Sequence, residues 1–179
     1  MSKKLFLFSA LLFGMTVALI PACTGDKCPD TCGFGICLDD GACDCDPGYE
    51  YDGDGICNTE VRAKLLGSFN TTEQCSTDPN PLPYAITITN DASSVASFSI
   101  FNFYGSFATA PVKATLTSGT EFTIATQKPV AGGDLEVSGS GSIGTSSGGK
   151  VQLTISYNVR DVTGANPTAT CTGTVFVKN

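Results

Sequence analysis

Apolar and polar residues alternate with a period of two along most of the chain beyond residue 66. The clearest run is 151–160, in which every odd position is apolar and every even position is polar. Such alternation is typical of antiparallel strands with one buried face. The pattern predicts eight strands, at 66–75, 83–90, 95–103, 111–117, 121–126, 134–143, 150–160 and 169–178.

Short links rich in Gly, Asn, Asp, Pro and Ser join these strands, which predicts an all-β domain over residues 61–179. We expect an eight-stranded antiparallel meander closed into a barrel, with a β-sandwich as the alternative. Two cysteines support closure, because Cys75 lies at the end of the first predicted strand and Cys171 near the start of the last. A disulfide there would seal the seam of a barrel. Residues 58–66 are predicted to form a short helix or a linker.

Two segments depart from simple alternation. The apolar residues between 98 and 104 change parity, which indicates a bulge; the alternative is a set of rings at an open barrel mouth. Residues 138–150 are mostly Gly and Ser, yet the parity of Leu135 and Val137 continues through Gly139 and Gly141. This predicts a strand with small inward residues and then a loose hairpin.

The start of the chain has a different pattern, in which two lysines precede an apolar run over residues 5–20. This layout is typical of a secretory signal peptide, predicted here over residues 1–22. The sequence Ile20-Pro21-Ala22-Cys23 resembles the bacterial lipobox, although Pro21 departs from its pattern. The resemblance implies a lipid, with palmitate among its acyl chains, on Cys23 and anchoring at the cell outer membrane. The alternative is ordinary cleavage near Ala22.

The segment 23–60 is a separate predicted module, because six of the nine cysteines lie between residues 28 and 57. So short a stretch cannot bury a sufficient core, and disulfides suit an exported chain better than zinc does. The run Cys43-Asp44-Cys45-Asp46-Pro47-Gly48-Tyr49, with Cys57 following and three cysteines upstream, resembles an EGF-like module. The resemblance implies the pairs Cys28–Cys37, Cys32–Cys43 and Cys45–Cys57, whereas six cysteines alone allow 15 pairings.

The charge of the chain is concentrated in this module. Residues 23–60 contain ten acidic residues and one lysine, whereas 61–179 contain seven residues of each sign. The net charge of −7 argues against nucleic acid as a partner. The sequence contains no histidine, which excludes imidazole chemistry and histidine-ligated metals. Residues 52–55 match only half of a calcium-binding EF-hand loop, so no metal site is predicted.

Catalytic machinery is not predicted either. The run from Gly144 to Lys150 has the spacing of a phosphate-binding loop, but Val151 replaces its hydroxyl residue and a strand follows. The carboxylates of the barrel domain lie mostly at strand ends or on polar faces, without the facing pair that a glycosidase needs. We therefore expect no enzyme activity, no catalytic residue and no cofactor.

The entry Gly67-Ser68-Phe69, the eight predicted strands and the terminal cysteines resemble the lipocalin-like barrels of Gram-negative surface lipoproteins. Our leading hypothesis is a lipid-anchored cell-surface lipoprotein that is a non-catalytic interaction module for an extracellular protein or glycan. The alternative is a small-ligand carrier whose cavity is lined by Tyr84, Phe98, Phe122 and Tyr157, although these side chains would equally fill a core. A secreted hydrolase is a third and weaker hypothesis.

Overall fold

The computed structural model describes residue 28 and residues 31–73, 75–77 and 83–179. The predicted signal peptide and Cys23, the predicted lipidation site, lie outside these residues. In the described part of the chain, no helix has the length and apolarity that crossing a membrane requires. The predicted boundary between residues 60 and 61 stays a prediction, and it falls where a strand ending at Glu60 passes directly into a helix.

The N-terminal part is a small region of short strands stapled by disulfides. Two hairpins form separate two-stranded sheets, and their strands are β1 (Gly35–Cys37), β2 (Cys43–Cys45), β3 (Tyr49–Tyr51) and β4 (Cys57–Glu60). Disulfides join Cys28–Cys37, Cys32–Cys43 and Cys45–Cys57, the same pairs that the EGF-like resemblance implied. Cystine sulfur takes the place of a hydrophobic core, since the buried cluster here consists of Cys32, Cys43 and Cys57.

The remainder is a closed, eight-stranded antiparallel barrel, which confirms the predicted fold class and excludes the sandwich. Its strands are β5 (Gly67–Thr72), β6 (Pro83–Asn90), β7 (Ser97–Phe101), β8 (Val112–Leu116), β9 (Glu121–Gln127), β10 (Leu135–Thr145), β11 (Val151–Asp161) and β12 (Ala169–Lys178). Each strand pairs with its neighbours in sequence, and β12 pairs with β5 to close the barrel. A five-residue helix, α1 (Val61–Leu65), precedes the barrel where a helix or linker was expected.

The alternating pattern sorts side chains between the interior and the outer surface. On β11 the side chains of Leu153, Ile155, Tyr157 and Val159 are buried. On β10 the predicted small inward residues are confirmed, because a Cβ at Gly139 would lie 2.7 Å from Cβ of Tyr157, and one at Gly141 would overlap the Phe122 ring. Gly139 therefore allows β11 to approach closely, and Gly141 makes room for the Phe122 ring inside the barrel.

The seam between β5 and β12 is closed in two places. A short ladder joins the strands at Phe69–Thr71, and beyond a gap the Cys75–Cys171 disulfide joins the two segments. Next to the disulfide, the amide of Ser76 donates to the carbonyl of Thr170 over 2.9 Å. The first predicted strand thus ends earlier than expected, at Thr72, and the disulfide extends the seam beyond the ladder.

One end of the barrel is closed by α1 and faces the cystine-rich region. Val61 and Leu65 of α1 are fully buried in the barrel core. The amide of Val61 donates to the carbonyl of Gly48 over 2.9 Å, and Lys64 forms an ion pair with Glu50. The backbone of Gly48 approaches Ala96 so closely that a Cβ would lie 2.9 Å from the Ala96 nitrogen. The two parts of the chain are therefore in direct contact.

A buried aspartate organises the turn after β6 at this same end. The Asp91 carboxylate accepts hydrogen bonds from the amide of Ser93, at 2.8 Å, and from the hydroxyl of Ser99, at 3.4 Å, and it pairs with Lys113 at 3.1 Å. The Ser93 side chain, then the Ser93 amide and then Lys113 hold the pKa of Asp91 well below its ordinary value. The carboxylate is therefore ionised at neutral pH and ties β6, β7 and β8 together.

The opposite end is closed by the turn after β7, which corrects the expectation of a bulge in a strand reaching residue 103. The strand ends at Phe101, and its pairings with β6 and β8 run without a register shift. Asn102 and Tyr104 adopt left-handed backbone angles (φ 56° and 57°), and the chain between them turns Phe103 into the barrel. The change of parity in the sequence thus marks a turn that plugs the barrel, with Phe103 fully buried.

Candidate functional site

The barrel interior contains a polar cluster at the end away from the cystine-rich region. Glu73 continues the inward parity of Phe69 and Thr71, and it is 7% exposed. The hydroxyl of Tyr157, from β11, donates a hydrogen bond to Oε2 of Glu73. Tyr84, from the start of β6, contributes a second buried hydroxyl to the same region. A carboxylate and two phenols are thus brought together inside the barrel.

The environment keeps both phenols protonated. Burial raises the pKa of Tyr84 far above its ordinary value of 10.0, and the negative charge of Glu73 raises it further. Burial is also the main cause of the raised pKa of Tyr157, followed by the neighbouring Tyr84 and Glu73. A phenol that stays protonated is a hydrogen-bond donor and a poor base. The cluster is therefore suited to holding a carboxylate in place.

Aromatic rings pack around this cluster and fill the end of the barrel. The Phe103 ring lies 4.5 Å from the Tyr157 ring, measured between centroids, and Tyr104 lies 6.3 Å from Tyr157. Phe176 of β12 contacts Tyr84 edge to face at 6.3 Å. The plugging turn and β12 thus supply rings to the space that a ligand would occupy in an open barrel.

The four residues predicted to line a ligand cavity fall into two groups. Phe98 and Phe122 contact each other edge to face, with centroids 5.3 Å apart, and both are buried. Tyr84 and Tyr157 belong to the cluster around Glu73. The side chains pack against the barrel core as the alternative interpretation anticipated, and their role in ligand binding stays a prediction.

The sequence carries a signal that the Glu73 side chain points into the barrel. Phe69 and Cys75 share a parity that points inward, and Glu73 lies at the same parity between them. A carboxylate at an inward position is costly unless a hydrogen-bond partner accompanies it. That partner, Tyr157, is 84 residues away in the chain, so only the folded barrel identifies it.

Within the described part of the chain, two groups of side chains have the proximity that a metal site requires, but neither has suitable chemistry. They are Cys28 with Cys32 and Cys43, and Glu73 with Cys75 and Cys171. Every cysteine in these groups is oxidised in a disulfide, and a thiolate is the ligand form of cysteine.

The acidic turn at residues 52–55 has a structural role. The carboxylate of Asp52 accepts hydrogen bonds from the amides of Asp54 and Ile56, at 2.9 and 3.0 Å. These bonds, that from Ile56 first, lower the pKa of Asp52. One Asp52 oxygen that a cation would need is therefore engaged by the turn itself.

The outer surface carries the other candidate region. Seven large apolar side chains of the described residues are exposed, and four of them lie between residues 34 and 51 of the cystine-rich region: Phe34, Ile36, Leu38 and Tyr51. Tyr51 also lines a cleft of about 390 Å³ between this region and barrel residues 117–120. Exposed apolar side chains in such a concentration are typical of an interaction surface.

Comparisons with protein-family models, with curated proteins and with solved structures found no match. The function of the chain is therefore inferred from its own residues and geometry.

Proposed function

We propose that this chain is a membrane-anchored cell-surface lipoprotein whose folded part is a non-catalytic interaction module for an extracellular protein or glycan. The anchoring rests on the leader over residues 1–22 and on the lipobox-like sequence ending at Cys23. An EGF-like identity for residues 23–60 and a lipocalin-like identity for the barrel are parts of the same proposal. The disulfide pairs of the first region and the strand count of the second support them.

The observation that favours interaction over transport is the filled barrel interior. Phe98, Phe103 and Phe176 are fully buried among the core side chains, and Tyr157 is 2% exposed. Small barrels of eight strands have interiors that side chains fill or that hold one small ligand, and here large rings occupy the space. Binding on the outer surface is thus the function that this packing supports best, with the carrier as the alternative.

The anchor is tested by labelling a bacterial host that produces the full chain with an alkyne analogue of palmitate. We expect the protein to incorporate the label and to sediment with membranes, and Cys23→Ser to lose both properties. Cys75→Ser with Cys171→Ser is the matched control, since it removes both half-cystines of the barrel seam and should leave labelling intact. An unlabelled wild-type protein released as a soluble chain would overturn the anchoring part of the proposal.

The interaction role is tested on the processed, oxidised protein by native mass spectrometry and by binding to arrays of peptides and glycans. We expect the protein mass alone, with eight cysteines in disulfides, together with saturable binding to a peptide or a glycan. A retained small molecule that is lost on unfolding, without array binding, would instead support the carrier.

A further inference from the structure

The β1–β2 hairpin has two different faces, and the register assigns residues to each. Gly35 pairs with Cys45, Ile36 with Asp44 and Cys37 with Cys43. Backbone hydrogen bonds continue the same register to Phe34 opposite Asp46 and to Leu38 opposite Ala42. Because side chains alternate between faces, the half-cystines lie on one face. The other face, called the hairpin face below, carries Phe34, Ile36, Leu38, Ala42, Asp44 and Asp46.

One strand of the hairpin face presents a row of apolar side chains to solvent. Phe34, Ile36 and Leu38 are 51%, 62% and 41% exposed. Residues two apart on a strand are about 6.6 Å apart, so the row is about 13 Å long. The Phe34 ring is held in place by stacking on Tyr49, at a centroid distance of 4.1 Å and an interplanar angle of 8°. Three disulfides hold the region, so a partner would meet a preorganised surface.

The neighbouring strand presents an acidic row. Asp44 and Asp46 are exposed and lie opposite Ile36 and Phe34, and directly opposed side chains are about 5 Å apart on a sheet face. Residues 31–60 contain eight acidic residues and no lysine or arginine. The two glutamates among them are paired with Arg62 and Lys64. The potential beside the apolar row is therefore negative, which attracts cationic groups and repels anionic lipid and a second copy of this surface.

The surface continues towards the barrel. Asp44 lines the cleft of about 390 Å³ together with Tyr51 and the hydroxyl-bearing residues Thr117, Ser118 and Thr120. Tyr51 is 53% exposed, and its hydroxyl is anchored by a hydrogen bond to the carbonyl of Cys43. A partner on the hairpin face would thus meet a second fixed ring and polar groups beside the acidic row.

We infer that the hairpin face docks a partner-protein segment that presents apolar side chains directly beside lysine or arginine. The apolar side chains of that segment cover Phe34, Ile36 and Leu38, and its cations lie over Asp44 and Asp46. This inference rests on the proposed interaction function and assigns it a surface and a partner chemistry.

The test pans a random 12-residue peptide library against the processed, oxidised protein and then titrates the enriched peptides. We expect enriched sequences to combine aliphatic or aromatic residues with lysine or arginine, and their affinity to fall as salt rises. Ile36→Ser and Asp44→Lys should each weaken binding about tenfold, because they remove the most exposed apolar contact and reverse the nearest charge. Ile36→Val should retain binding.

Matched controls distinguish binding at the hairpin face from nonspecific binding to other exposed residues. Val175→Ser removes a side chain that is 41% exposed on the barrel, and Asp54→Lys reverses an exposed charge in another turn of the cystine-rich region. Both variants should bind as the wild type does. Near-ultraviolet circular dichroism and peptide mapping confirm that each variant keeps its fold and disulfides.

Three results would overturn the inference. The first is that the library yields acidic peptides, uncharged peptides or no enriched peptide. The second is that Ile36→Ser and Asp44→Lys leave the peptide affinity unchanged. The third is that the wild type sediments with anionic or neutral phospholipid vesicles and Ile36→Ser does not. The last would make the face a membrane contact. Peptide or glycan binding that ignores the hairpin variants would leave the proposed function standing, whereas a chain that binds neither and retains a small molecule would refute both.

Discussion

Removing the seam disulfide, with Cys75→Ala and Cys171→Ala together, should lower the stability of the barrel substantially. The bridge closes a loop with a sequence separation of 96 residues, and among the described residues the ladder between β5 and β12 consists of three residue pairs. In the chain-entropy model a loop of this size restricts the unfolded state by about 4.7 kcal/mol, and residual structure in unfolded chains reduces the measured value. We expect a loss of about 2–4 kcal/mol. Alanine is preferred because Cys171 is fully buried, where a serine hydroxyl would need a partner.

The loss is measured by urea unfolding of the oxidised proteins, followed by far-ultraviolet circular dichroism. Hydrogen exchange adds a local measurement beside the bridge. There the amide of Ser76 donates to the carbonyl of Thr170, and the amide of Thr170 donates to the hydroxyl of Ser76. These amides should exchange faster in the double variant, while amides of β10 paired with β11 should change only as global stability does.

A matched control removes a short bridge from the other region. Cys28→Ala with Cys37→Ala opens a bridge with a separation of only nine residues, and it should leave the barrel transition unchanged. A stability of the seam variant within about 0.5 kcal/mol of the wild type, the range of ordinary surface substitutions, would refute the stabilising role of the bridge. Peptide mapping of the wild type that pairs Cys75 with a cysteine before residue 60 would refute the bridge itself.

Three further predictions concern the interior and the junction. Tyr157→Phe removes the hydroxyl that donates to the buried Glu73 carboxylate and should cost about 1–3 kcal/mol, whereas an unchanged urea midpoint would contradict a stabilising role for this hydrogen bond. Asp91→Asn should destabilise the protein at neutral pH. The lowered pKa of Asp91 stabilises the folded state at pH values above the unfolded pKa of about 3.9, and this stabilisation is lost as pH falls through the folded pKa. The melting temperatures of wild type and variant should therefore converge below about pH 4. Gly141→Ala should cost about 1–3 kcal/mol through overlap with Phe122, while Gly144→Ala, with open space at its Cβ, should be nearly neutral.

The strands could be predicted because their signal is local. Alternation over 151–160 and the inward parity of Gly139 and Gly141 depend only on neighbouring residues and on the rule that one face is buried. Closure could be predicted too, because Cys75 and Cys171 mark where the first and last strands meet. The disulfide pairs of the cystine-rich region came from a resemblance, since spacing alone left many pairings open.

The plugged end of the barrel could not be predicted, because its signal is weak. Asn102 and Tyr104 are not glycines, yet both adopt left-handed backbone angles, which non-glycine residues rarely do. The sequence therefore resembled a strand with a bulge as far as Phe103. Packing favours the turn over a continued strand. The turn buries the Phe103 ring against Tyr157, whereas a continued strand would leave that ring at an open barrel mouth.

The hairpin face could not be predicted from the sequence for a different reason. The parity of the residues alone does not say which side of an isolated hairpin is buried. Here the half-cystines determine the buried side, because the disulfide core replaces a hydrophobic one, and the apolar side chains are left outside. The polar cluster around Glu73 lies at the end of the barrel away from the cystine-rich region, so variants in the cluster and on the hairpin face should act additively. A seam or Tyr157 variant that destabilises the barrel should therefore leave the peptide affinity of the hairpin face unchanged while the protein remains folded. A loss of that affinity would mean that the barrel and the cystine-rich region are coupled through α1.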